Sequence, residues 1–140
     1  MHFFMNKMNI ADLIENFDFF DSWEDKYRYI IELGSKLPPL DKDFYTDDWK
    51  VKGCQSQVWL VPQKLPDGRI KFMGDSDALI VKGLMAIVLM VYNNLTPQEI
   101  KHQQINEIFT SIGLKEHLSP SRRNGLESMI AKIKHYAEVL

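Results

Sequence analysis

Gln57-Val58-Trp59-Leu60-Val61, then Pro66-Asp67-Gly68, then Ile70, Phe72 and Gly74, is the stretch that decides the fold. The first run is β-branched and aromatic, and apolar on both pleats, as expected of a strand covered on both faces. Pro-Asp-Gly supplies a turn, with Gly68 free to take a positive φ. The apolar residues that follow give the returning strand, so the passage reads as a β-hairpin. Working outward, Ser76 is placed to cap a following helix, with Asp77 near its positive end. Ala78 to Tyr92 is apolar almost throughout, broken by Lys82 and Gly83. Such a run is too short for a comfortable membrane span, and beside a sheet it reads as a central core helix.

On the N-terminal side, Ile10, Leu13, Ile14 and Phe17 mark one apolar helical face. Asn9 to Asp25 carries six acidic residues and no basic one, a solvated face or part of a docking surface. Ser22 followed by Asp25 resembles an N-cap with an acidic partner at the third helical position. That helix turns Trp23, Tyr27, Ile30, Ile31 and Leu33 inward and closes at Gly34 and Pro38-Pro39. Leu40 to Lys52 has no persistent period and reads as a loop leading to a short strand near Val51. On the C-terminal side, Thr96-Pro97-Gln98-Glu99 has capping-box chemistry with proline at the first helical position. Ile105, Ile108, Phe109 and Ile112 give another short helix ended by Gly113. Ser119-Pro120 opens the last one, lined by Leu126, Met129, Ile130, Ile133, Ala137 and Leu140. The expected architecture is α+β: a small antiparallel sheet of about three strands covered by several helices, in one domain over residues 1–140.

Composition narrows the function. The chain has 140 residues, 45% hydrophobic and 26% charged, with a formal net charge of −2. That is ordinary globular composition and does not suggest a nucleic-acid binder. The stretch Met1 to Lys7 lacks the basic and apolar regions of a signal peptide. One cysteine excludes an internal disulfide framework and cannot complete a cysteine-rich metal site. A cytoplasmic location, where a lone thiol stays reduced, is the simplest expectation. No metal site is expected, and both monomer and homodimer fit this composition.

Cys54 is the candidate for chemistry, in Gly53-Cys54-Gln55-Ser56-Gln57 at the loop end of the first strand. A lone cysteine is often just a small buried hydrophobe. Here Gly53 permits a tight bend and the three following residues are polar, so a thiol exposed by a loop and positioned by a strand is the alternative. A cysteine-dependent hydrolase or thiol oxidoreductase would need a base near it, from among His2, His102, His117 and His135. No Gly-rich phosphate loop and no His-Glu-x-x-His pattern occurs.

Val51-Lys52-Gly53-Cys54-Gln55-Ser56-Gln57-Val58-Trp59 resembles the signature of the SufE family of sulfur-acceptor proteins. Further blocks resemble the same family in the same order: Trp23-Glu24-Asp25-Lys26-Tyr27 with Ile30 to Gly34, Leu37-Pro38, Gly74 to Ala78 with Ile80 to Leu84, and His117 to Arg122 with Asn124-Gly125-Leu126. Trp49 departs from the pattern, since the family usually has asparagine there. The resemblance implies a SufE/NifU-like fold and a partner cysteine desulfurase (SufS-like) whose pyridoxal phosphate stays on that partner. Cys54 would take the desulfurase's persulfide sulfur and pass it to an iron–sulfur cluster assembly scaffold, with no cofactor bound by this chain. It also implies that Arg122 is a ligand for the thiolate or for a partner carboxylate. Gly53, Gln55, Ser56, Gln57 and Asp77 would position the loop or meet the partner, although Asp77 serves equally as a helix-start charge. On this resemblance the rival is the hydrolase or oxidoreductase, with His117 as its best-placed base. A persulfide needs shielding from solvent thiols, so apolar residues are expected around Cys54, with a loop that rearranges on docking.

Overall fold

A computed structural model describes residues 9–140. The reading of Met1 to Lys7, and His2 with it, lies outside the described residues. The chain forms an α+β fold. Helix α1 (Ile10–Phe19) and α2 (Trp23–Ser35) precede a hairpin of β1 (Val58–Lys64) and β2 (Ile70–Ser76), followed by α3 (Leu79–Tyr92), α4 (Pro97–His102), α5 (Ile105–Ile112) and α6 (Pro120–Val139). No helix among the described residues is long and apolar enough to cross a membrane.

The caps show why the helices start where they do. Asn9 and Thr96 each accept the third helical N–H while Asp12 and Glu99 reach back, completing two capping boxes. Ser22 accepts from Asp25 N, and Ser119 from Arg122 N. Ser76 does not cap α3. It ends β2, buried, and the cap position falls on Ala78, which offers no side-chain oxygen to α3. The strand runs on because Ser76 pairs with Val58 across the hairpin, which local sequence does not reveal.

The two strands pair antiparallel from Val58↔Ser76 to Lys64↔Ile70. Among the described residues the sheet has two strands, where about three were expected. The short strand near Val51 shrinks to an isolated bridge between Lys50 and Trp59, with Val51 N donating to Val58 O at 2.8 Å. The next residues turn away to form the Cys54 loop, so the pairing cannot lengthen. Both pleats of β1 are covered. Val58 and Leu60 face the main core, while Trp59 and Val61 face a second cluster with Leu40, Phe44, Trp49 and Met73. Trp49 therefore serves as cover for the hairpin's outer face, edge-on to Phe44 at 5.7 Å.

Helix α3 runs through the middle of the core, with Leu84, Met85, Ile87 and Val88 almost wholly buried. It crosses α2 at its closest where Gly34 meets Gly83. A Cβ on Gly83 would fall 2.2 Å from Ile30 O, and one on Gly34 2.6 Å from Gly83 N. Gly34 is thus a crossing residue inside α2 rather than its stop, and the helix continues to Ser35. At the other end of the chain Leu140 lies past α6 and is exposed, not part of its buried stripe.

Candidate functional site

Cys54 sits on the loop between the Lys50 bridge and β1, half-buried, packed against the main core. Gly53 makes the bend possible. Its φ is +90°, a conformation that side chains rarely adopt, and a Cβ there would fall 2.6 Å from Ser128 Oγ on α6. The loop is closed at its far end by Asp77, which accepts from Gln57 N at 3.0 Å and from Gln57 Nε2 at 3.3 Å. Asp77 thus acts as a loop anchor from the β2–α3 junction.

The thiol faces α6. Cys54 Sγ donates to Gly125 O at 3.7 Å, and a Cβ on Gly125 would lie 3.5 Å from the sulfur. Arg122, Gly125, Leu126 and Met129 follow one face of α6 and wall a cavity of about 350 Å³ that Cys54, Gln55 and Ser56 share. Ile80, Val81 and Leu84 of α3 supply an apolar wall, so the expected apolar surroundings of the thiol are present. Burial pushes the Cys54 thiol above its ordinary pKa. The attacking species in thiol chemistry is the thiolate, so this environment holds the sulfur back.

Of the described residues lining the cavity only Arg122 is charged. Its Nη1 donates to Tyr27 Oη at 3.2 Å, with the guanidinium 5.9 Å from the Tyr27 ring centre. Tyr27 Oη in turn donates to His117 O at 3.1 Å, and the His117 ring stacks on Trp23 at 3.9 Å. One face of α2 therefore fastens the turn that precedes α6.

The structure brings together Cys54, Gln55, Ser56 and Arg122 around the cavity, with Gly53, Gln57 and Asp77 shaping the loop. It does not bring His117 to the thiol: that ring is exposed against Trp23, and no histidine lines the cavity among the described residues. Of the candidate bases, His102, His117 and His135 therefore stand outside the cavity lining, while His2 lies outside the described residues. Gly125, Ser128 and Tyr27 are contributors that site reasoning did not single out. A glycine inside a helix, as at Gly125, was the available signal of a close approach. No group of three or more His, Cys, Asp or Glu among the described residues could hold a metal ion.

Fold and site define a small α+β protein that presents one cavity-facing thiol on a loop. Residues 11–137 match the SufE family, described as an Fe–S metabolism associated domain. An uncharacterized SufE-like protein of Rhizobium meliloti (strain 1021) is 47% identical over 133 residues, which is 93% of this chain and 95% of that protein. A second, from Rhizobium etli, is 48% identical over 134 residues, covering 94% and 90%. The solution structure of a hypothetical protein from Thermus thermophilus shares the fold, with a TM-score of 0.72 at 18% identity over 92% of this chain and 93% of that one. The chain belongs to the SufE family and so to iron–sulfur metabolism.

Proposed function

We propose that the chain is a sulfur acceptor for a cysteine desulfurase, with Cys54 as the carrier thiol. The observation that supports this most is the placement of its sole cysteine, within a SufE domain, on a loop that opens onto a partly apolar cavity. The desulfurase holds its sulfur as a persulfide. The Cys54 thiolate attacks the outer sulfur, a new S–S bond forms, the old one breaks, and the desulfurase cysteine leaves as a thiolate. The proton lost by Cys54 is matched by the one that the leaving thiolate can take up, and no external oxidant or reductant is consumed.

The pyridoxal phosphate that frees sulfur from cysteine resides on the partner, and this chain carries only the transferred atom. Arg122, on the same cavity wall, is the cation that would stabilise a Cys54 thiolate or persulfide anion during transfer, or meet a partner carboxylate. The downstream acceptor is an iron–sulfur cluster scaffold, and the compartment is the cytoplasm, where a thiol carrier stays reduced. With no second cysteine in the chain, the persulfide cannot be discharged internally.

The test is intact mass after incubation with an active cysteine desulfurase and free cysteine. A gain of one sulfur atom, reversed by reductant and absent in Cys54→Ser, is the expected result. No gain with a desulfurase that turns over normally overturns the reading.

A further inference from the structure

We propose that Tyr27 is a positioning residue that holds Arg122 away from the Cys54 thiol in the free protein. Two side chains on the wall of one cavity, a thiol and a guanidinium, would be natural partners, yet each is engaged elsewhere. The Arg122 fork donates to Tyr27 Oη, and Cys54 Sγ donates to Gly125 O. The hydroxyl is itself fixed, because it donates to the His117 carbonyl and so turns a lone pair toward Arg122. Its ring adds a cation–π face beneath the guanidinium.

The groups around this contact leave Tyr27 as the holder. The turn before α6 offers the His117 carbonyl to the hydroxyl, while the His117 imidazole is stacked on Trp23. Lys26, next along α2, lies over the Trp23 ring. Asp77, on the loop's other flank, is occupied by Gln57. The Tyr27 contact therefore separates a resting thiol, governed by burial, from an activated one in which the guanidinium swings across the cavity. Displacement of that contact when a partner docks would supply the cation at the moment of transfer. That consequence rests on the sulfur-acceptor reading; the contact's effect on the free thiol does not.

The experiment measures iodoacetamide alkylation of Cys54 against pH in the full chain, for Tyr27→Phe, Arg122→Gln and the double variant. Tyr27→Phe is expected to lower the midpoint by about one pH unit, raising the rate near neutral pH about tenfold. Arg122→Gln alone is expected to leave the alkylation midpoint of the free thiol in place while slowing sulfur uptake from a desulfurase, and the double variant to return to the wild-type midpoint. A double variant as fast as Tyr27→Phe overturns the proposal, since the effect would then be a loosened cavity. So does a raised midpoint in Arg122→Gln, because Arg122 would already serve the thiol; this arm decides the matter even if Tyr27→Phe folds poorly. Sulfur uptake from a desulfurase is followed in the same variants. A midpoint pattern as expected with no uptake in any of them, wild type included, supports the Tyr27 contact and overturns the sulfur-acceptor reading alone.

Discussion

Asp77 reaches back across the start of β1 to Gln57, holding its main-chain N–H at 3.0 Å and its side-chain amide at 3.3 Å. This clamp is where the Cys54 loop joins the rigid hairpin, so it limits how far the loop can open. Both bonds are exposed, so their contribution to global stability is modest, about 1 kcal/mol. Asp77→Ala is expected to leave the melting temperature within a few degrees of wild type. Amide exchange over residues 53–57 should accelerate clearly while α3 stays protected. Equal exchange in the two proteins would show that the clamp does not govern the loop.

Burial sets the direction of the Cys54 pKa, upward from its ordinary value. The thiol thus stays protonated to higher pH than a free cysteine, and its alkylation rate should still be climbing where a small-molecule thiol has levelled off. Comparing the pH–rate curve for iodoacetamide with that of a cysteine blocked at both ends, N-acetylcysteinamide, checks this. A midpoint at or below the free thiol's would mean that a cation already faces the sulfur.

Gly83 and Gly34 are the positions where α3 and α2 touch backbone to backbone. Replacing Gly83 with alanine would drive a methyl group into Ile30 O, and main chain cannot step aside as a side chain tip can. The expected loss is about 3 kcal/mol, at the upper end for overpacking, read as a lower urea midpoint at unchanged slope. Gly68→Ala is the control for space alone, since its Cβ would meet nothing within 4 Å. Its φ of +91° still carries a backbone penalty. A Gly83→Ala loss no greater than that of Gly68→Ala would refute the crossing argument.

These contacts mark how far the sequence could be read. Caps at Ser22, Thr96 and Ser119 depend on residues three positions away, and they fall where local chemistry puts them. The two covered pleats of β1 were visible because Val58, Trp59, Leu60 and Val61 are all apolar. The roles of Gly34 and Ser76 are not legible locally, because they are set by Gly83 and Val58, partners distant in sequence. The site divides in the same way. The Gly53-Cys54-Gln55-Ser56 loop is local and legible, while the wall that faces it comes from α6, 71 residues further on at Gly125. Tyr27 and Arg122 are 95 residues apart, and nothing in either neighbourhood announces their hydrogen bond.

Asp75 ties three separate segments together and makes a pH-dependent contribution to stability. Burial pushes its carboxyl up, but hydrogen bonds from Tyr45 Oη and Ser76 N, with the Lys82 ammonium at 3.2 Å, outweigh that and hold its pKa below the usual value. A carboxyl with a lowered folded-state pKa stabilises the fold above its unfolded pKa of about 3.9, and loses that contribution as pH falls through the folded value. Tyr45 also accepts from Leu40 N, so the Asp75 bond secures the 40–50 segment that leads into the Cys54 loop. Asp75→Asn should therefore be less stable than wild type near neutral pH. The gap should narrow steadily as the medium is acidified below about pH 4. Urea unfolding across that range provides the check, and parallel stability curves for the two proteins would show that the Asp75 charge contributes nothing to the fold.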